Sequence, residues 1–151
     1  MRESTSIPKN LVEQNKATVP ELFTDWITDS GTGWEKWLSL IEGAGGWRVP
    51  LSGQDSLSEL AQALDLPVIL VVGVRLGCIS HALLTAEAIA RDGLQLAGWV
   101  ANIIGPATSR LEENLATLAE RLPAPCLGRV PKLKSASAQS VAEYLQLDLL
   151  D

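Results

Sequence analysis

The chain has 151 residues, of which 46% are hydrophobic and 20% charged, with a net charge of −6 and an isoelectric point near 4.8. This length suits one globular domain with a hydrophobic core, and the acidic balance without a basic run argues against a nucleic-acid or anionic-membrane surface. The first residues lack the apolar core of a signal peptide. The longest apolar run, 68–72, is far shorter than the about 20 residues that span a bilayer. We therefore expect a cytoplasmic protein.

The amino-terminal segment differs in composition from the rest of the chain. Residues 1–36 are polar and contain two prolines and the sequence Ser-Gly-Thr-Gly at 30–33, which favours irregular or partly disordered structure with at most a short helix over 19–26. Residues 37–151 are predicted to form an α/β domain. The two cysteines, Cys78 and Cys126, and the single histidine, His81, have no zinc-binding spacing, so we expect reduced thiols.

From Trp37 onward, apolar runs alternate with helical patterns. The predicted strands cover residues 37–41, 67–73, 96–102 and 125–130, and the predicted helices cover residues 56–64, 79–92, 108–122 and 138–145. The first of these helices opens with a capping box, Ser56-Leu57-Ser58-Glu59. The run "PVILVVG" is almost continuously β-branched, as in strands that are covered on both faces. The alternation predicts a parallel sheet with helices on both faces.

Such sheets bind ligands at the carboxyl ends of their strands, and polar or glycine-rich residues follow each predicted strand. Glu42 follows the first strand, where a carboxylate can hold Mg²⁺, and the glycines after it let a backbone approach an anion. A glycine turn with a solvated Glu42 is an equally good interpretation of these residues alone.

The later strand ends are weaker signals when each is taken alone. The segment 73–78 leads into a helix whose free amides suit a carboxylate or phosphate, although an ordinary connecting loop is the commoner case. Asn102 pairs a donor with an acceptor, which suits the edge of a nucleobase, but Asn also caps and turns. Val130 and Pro131 offer an apolar wall for a base.

Taken together and in this order, these stretches resemble dethiobiotin synthetase, an enzyme of biotin biosynthesis. The resemblance is carried by "EGAGGW" (42–47), "LPVILVVGVRLGCISHALLT" (66–85), "LAGWVAN" (96–102) and "PAPCLGRVP" (123–131). It implies a P-loop-type fold, a homodimer, and ATP- and Mg²⁺-dependent closure of a ureido ring on 7,8-diaminopelargonic acid with CO₂. In that reaction a carbamate forms, takes the γ-phosphate, and is attacked by the neighbouring amine, with phosphate as the leaving group.

The resemblance also implies roles for individual residues, although it identifies no certain catalytic residue. Glu42 would be the Mg²⁺ ligand. Residues expected to contact the nucleotide are Glu42, Gly43, Ala44, Gly45, Asn102, Val130, Pro131 and Lys132. Residues expected to contact the substrate, in part across the dimer interface, are Gly46, Gly77, Cys78 and Ser80.

Two departures from the family pattern bear on activity. The family commonly has Asn where this chain has Ser80. The family's phosphate loop has a Gly-Lys-Thr sequence, whereas none of the five lysines here follows a glycine, and "GTGWEK" (31–36) has Glu35 in that place.

The chain therefore looks like a truncated, carboxyl-terminal part of a dethiobiotin synthetase without its P-loop, and we expect it to be weakly active or inactive alone. The alternative is a non-catalytic remnant or partner that dimerises with a full-length paralogue. A nucleotide-binding module of other function is disfavoured by the long match over 66–85. Because the P-loop strand belongs near the middle of the sheet, 67–73 would have an unpaired edge, and we expect an oligomeric, marginally stable or insoluble chain.

Overall fold

The computed structural model describes residues 41–43, 45–51, 55–105 and 110–150. They fall into two compact units, residues 1–65 and 66–151. The predicted short helix over 19–26 and the irregular segment 1–36 lie outside the described residues, as do four residues of the predicted strand 37–41. The fifth, Ile41, is not in a strand. The predicted boundary at residues 36 and 37 stays a prediction.

The described part of the first unit is built around one helix, α1 (Leu57–Leu64). The predicted capping box is confirmed, because the amide of Ser56 donates to Oε2 of Glu59 at 2.6 Å. The fully buried Ser58 accepts a hydrogen bond of 2.9 Å from Arg48 Nη1. These contacts pack the segment that follows the glycines onto the start of α1.

The second unit contains a three-stranded parallel sheet in the order β1-β2-β3. Its elements in chain order are β1 (Val68–Gly73), α2 (Cys78–Arg91), β2 (Leu96–Asn102), α3 (Leu111–Arg121), β3 (Cys126–Val130), α4 (Ala138–Ala142) and a 3₁₀ turn (Leu147–Leu149). The predicted strands 67–73, 96–102 and 125–130 are confirmed to within one residue. The helix predicted from residue 108 is observed from Leu111, and 106–109 lie outside the described residues.

Both faces of the sheet are covered, as predicted. On one face α2 packs against β1, β2 and α3, and the fully buried Trp99, Leu115 and Leu118 form the core. Each buried leucine contributes about 2 kcal/mol of hydrophobic stabilisation. On the other face Val100, Leu127 and Val130 form a cluster with apolar residues from β1 and from the carboxyl-terminal segment, namely Ile69, Val141, Leu145 and Leu150.

The carboxyl-terminal segment also closes the outer edge of β3. Leu145 forms an antiparallel bridge with Gly128, and the amide of Gln146 donates to the carbonyl of Leu127 at 2.7 Å. The predicted helix 138–145 is therefore wrong at its end. The helix stops at Ala142 because the following residues pair with β3.

Strand β1 departs from its prediction in one respect. Val72 is 5% exposed, but Val71 is 60% exposed, so the expectation of coverage on both faces is wrong at Val71. Both cysteines are free thiols, as expected. Among the described residues, no helix is both long enough and apolar enough to cross a membrane.

The close approach at Gly128 gives a test of this packing. An added Cβ would collide with the carbonyl oxygen of Tyr144, a backbone atom that cannot rotate away. We expect Gly128→Ala to lower the free energy of unfolding by about 1–3 kcal/mol, as in other overpacked sites. Urea unfolding followed by far-ultraviolet circular dichroism measures this change.

The matched control is Gly105→Ala, because an added Cβ at Gly105 meets no atom within 4 Å and its φ is not positive. We expect it to change stability by less than about 0.5 kcal/mol. Equal effects of the two substitutions would contradict the packing of Tyr144 against β3.

Candidate functional site

The carboxyl ends of the three strands lie level with one another. Gly73 pairs with Asn102, and Asn102 pairs with Val130, so the three residues form one row across the sheet. The pairing continues one residue further, since the amide of Val74 donates to Asn102 O at 2.8 Å and the amide of Ile103 donates to Val130 O at 2.9 Å. We call Gly73, Asn102 and Val130 the tip row.

The tip row and the two residues after Val130 combine polar, apolar and cationic groups. Asn102 is partly exposed, so its side-chain amide is available to a ligand. Val130 is buried, Pro131 is half-buried, and Lys132 is exposed. An apolar wall beside an amide suits a flat heteroaromatic ring, and a cation close by suits its phosphates.

The connection from β1 to α2 ends in a glycine with a left-handed backbone. Gly77 has φ +89° and is the N-cap of α2, and an added Cβ would meet no atom within 4 Å. The backbone conformation rather than crowding therefore favours glycine at this position. The first amides of a 14-residue helix lie just after it, where an anion is favoured.

The residues at this helix start differ in their availability. Cys78 is 4% exposed, and its amide donates to the carbonyl of Arg75 at 3.0 Å. Gly77 and Ser80 are exposed, so they are the predicted substrate contacts that a ligand can reach here. Arg75 and His81 are also exposed.

The predicted metal and phosphate residues belong to the first unit. Glu42 and Gly43 are exposed, Ala44 lies outside the described residues, and Gly45 and Gly46 have φ of +85° and +128°. An added Cβ at Gly43 would lie 2.5 Å from Cδ2 of Leu57 in α1. A side chain at position 43 would therefore require the terminal methyl group of Leu57 to move.

The chemistry of Glu42 limits the kind of metal site that it can provide. In the described part of the chain, no three His, Cys, Asp or Glu side chains come together in a metal-binding group. One carboxylate fits Mg²⁺, which commonly takes one or two protein carboxylates and completes its shell with phosphate and water. The residues therefore fit a metal that arrives with a nucleotide.

The structure brings together part of the predicted set. Asn102 and Val130 are neighbours in the tip row, and Gly77 and Ser80 lie at the start of the helix that β1 leads into. That residues 42–46 share this site stays a prediction, because they belong to the other compact unit.

Sequence reasoning missed Ile104. It is 46% exposed, and its Cδ1 lies 3.3 Å from where a Cβ of Gly73 would be, so it adds an apolar group beside the tip row. An apolar residue just after a predicted strand end was the available signal.

Two other features involve none of the predicted site residues. Hydrogen bonds from its own backbone amide and from Arg110 lower the pKa of Glu113, an exposed residue in the first turn of α3. A cavity of about 360 Å³ is lined by side chains of β2, β3, α3 and the carboxyl-terminal segment, among them Trp99, Leu115 and Tyr144. None of the predicted site residues lines it.

Comparison with known proteins identifies the family. A sequence profile of the AAA domain matches residues 35–140, which include every predicted site residue. Over 110 residues the chain is 74% identical to the ATP-dependent dethiobiotin synthetase BioD of Pseudomonas aeruginosa, and the match covers 73% of this chain and 48% of that protein.

More distant relatives carry the same name. The proteins from Cellvibrio japonicus and Aliivibrio fischeri are 61% and 51% identical over 114 and 112 residues, or 75% and 74% of this chain, and each match covers 50% of the relative. The chain thus spans about half the length of the curated relatives it matches. With a profile match over most of its length and a parallel α/β sheet, the chain belongs to the AAA domain family, a family of P-loop NTPase-like fold, and within it is similar to dethiobiotin synthetases.

Proposed function

We propose that this chain provides the base-binding and substrate-binding part of a dethiobiotin synthetase, which closes a ureido ring on 7,8-diaminopelargonic acid with CO₂, ATP and Mg²⁺. The observation that carries the proposal is the 74% identity over 110 residues to an enzyme of that name. A cytoplasmic location and a homodimer are part of the proposal, and the free thiols agree with a reducing compartment.

In the proposed site each group has a chemical task. Asn102 would hydrogen-bond the edge of adenine, while Val130 and Pro131 would pack on the ring and Lys132 would lie beside it. Gly77 and Ser80 would receive the substrate carboxylate at the start of α2, where free amides and the helix dipole favour an anion. Cys78 would contribute by shaping this turn, since its side chain is buried.

Residues 42–46 would serve the phosphates. Glu42 would hold Mg²⁺, which when bound neutralises phosphate charge during phosphoryl transfer. Residues 43–46 would bring the backbone close to the triphosphate and the substrate. This chain has no Gly-Lys-Ser or Gly-Lys-Thr sequence to neutralise the remaining charge. We therefore propose that the chain alone turns over ATP weakly or not at all.

A second candidate function is that of a non-catalytic remnant or partner that dimerises with a full-length paralogue. Two exposed apolar side chains favour it: Leu76, 97% exposed in the loop before α2, and Leu84, 60% exposed on α2 itself. Apolar residues at such positions commonly mark a protein interface. Failure of the chain to co-purify with the intact enzyme would remove this candidate.

The catalytic half of the proposal is tested with the purified chain. Incubated with ATP, Mg²⁺, bicarbonate and 7,8-diaminopelargonate, it should form little or no dethiobiotin, because phosphate charge is left without its lysine. Mass spectrometry measures the product, with the Pseudomonas aeruginosa enzyme as the positive control. Product at a rate comparable to that enzyme would contradict the proposed dependence on a phosphate loop.

The base-binding half is tested at Asn102. Loss of a hydrogen bond worth about 1 kcal/mol weakens binding about fivefold, so Asn102→Ala should raise the Kd for ATP by roughly that factor and reduce the preference for ATP over GTP. Isothermal titration calorimetry with each nucleotide measures both. The control is Gln95→Ala, an exposed amide just before the amino-terminal end of β2, which should change neither value. Unchanged discrimination in Asn102→Ala would exclude its contact with the base.

The metal proposal is tested at Glu42. Neutralising the carboxylate with Glu42→Gln should reduce the gain in ATP affinity that Mg²⁺ provides, whereas ATP binding without metal should stay the same or improve, because a negative charge near the phosphates is removed. Glu120→Gln, an exposed acid on α3, is the control. If both variants respond to Mg²⁺ like the parent chain, Glu42 is not a metal ligand.

A further inference from the structure

Strand β3 has a backbone neighbour on each of its two edges. On one edge it pairs with β2 as far as Asn102, which lies opposite Val130. On the other edge the carboxyl-terminal segment, residues 138–150, forms the bridge between Leu145 and Gly128. Both neighbours belong to the second unit. The position of Val130, the last residue of β3, therefore depends on the carboxyl-terminal segment as well as on β2.

The carboxyl-terminal segment also packs on the side chains around Val130. Val130 is 8% exposed and belongs to a buried apolar cluster of the sheet. Three side chains of the segment pack against that cluster, namely Val141, Leu145 and Leu150. Leu145 combines this apolar contact with the backbone bridge to β3. Because protein interiors are close-packed, truncating such a side chain leaves a space into which its neighbours shift.

The end of β3 is also where the apolar wall of the candidate site begins. The amide of Ile103 donates to the carbonyl of Val130 at 2.9 Å, so one hydrogen bond joins this wall to the residue after Asn102. Neither Val130 nor Pro131 has a polar side chain, and Pro131 has no backbone amide to donate. Where the wall lies relative to Asn102 is therefore decided largely by the packing behind it.

We propose that Leu145 is a positioning residue of the nucleotide site, which holds the end of β3 so that Val130 and Pro131 lie at the distance from Asn102 that a base requires. The inference rests on the proposed base-binding role of these three residues. It adds that a side chain on the far edge of β3 controls affinity for the nucleotide without touching it. Because the wall is apolar, Leu145 affects binding of any purine base and leaves the choice between adenine and guanine to Asn102.

The first test measures nucleotide binding by calorimetry, at a temperature at which circular dichroism shows each variant to be folded. We expect Leu145→Ala to raise the Kd for ATP about threefold and the Kd for GTP by the same factor, because the wall packs on either ring. Leu145→Met keeps the volume of the side chain and should restore the parent values. The matched control is Leu147→Ala, since Leu147 is 55% exposed in the 3₁₀ turn and should leave both values unchanged.

Hydrogen exchange tests the same inference without nucleotide. In Leu145→Ala the amide of Ile103, which donates to Val130, should exchange about tenfold faster than in the parent chain, because the end of β3 separates from β2 more often. The amide of Val74 donates to Asn102 on the β1 side of the sheet at 2.8 Å and should keep its rate. A purely structural role of Leu145 would lower the stability of the whole unit and speed exchange at both amides.

The two measurements separate this inference from the proposed function. A parent chain that does not bind ATP would contradict the proposed function, and exchange alone would then decide the role of Leu145. The positioning role is overturned if Ile103 and Val74 change by the same factor. It is also overturned if the parent chain binds ATP and Leu145→Ala binds it equally well, or if Leu145→Met does not restore the affinity.

Discussion

The parallel pairing of β2 with both of its neighbours is the constraint on which the second unit depends. Because β2 is hydrogen-bonded on both sides, its register fixes where β1 and β3 end, and it sets Asn102 level with Gly73 and Val130. The same pairing brings Trp99 into the core on one face and Val100 into the cluster on the other. A shift of one residue would exchange these faces, so packing and site geometry are fixed together.

Most of this unit could be predicted from the sequence, because its elements follow local rules. The β-branched run of β1, the capping box at Ser56 and the apolar periodicity predict element types and nearly correct ends. The errors have tertiary causes. Leu145 fits a helical pattern, but the edge of β3 offers hydrogen bonds that a longer α4 would leave unmade. Val71 fits a buried strand, and its exposure depends on what packs against β1, which no local pattern encodes.

The candidate site shows the same difference. Some of its residues are placed by the order of strands and helices, and others depend on tertiary packing. Position at a strand end follows from the alternation of elements, so the sequence alone assigns Asn102 and Val130 to one edge of the sheet. Whether Glu42 joins them depends on how the first unit docks, and sequence periodicity carries no information about docking. Ile104 is the opposite case, because an isoleucine by itself predicts no role in a binding site. It lies beside the tip row because Gly73 has no side chain in that space.

The proposed division of labour explains why a chain with a well-formed tip row would still be a poor catalyst. Binding a base needs an amide and an apolar wall, which the tip row and Pro131 can provide with neutral groups. Transferring a phosphoryl group needs positive charge placed where negative charge develops, and a neutral backbone cannot replace a lysine there. The exposed cations near the strand ends, Arg75 and Lys132, are solvated and lie on flexible stems, so screening reduces what they could contribute.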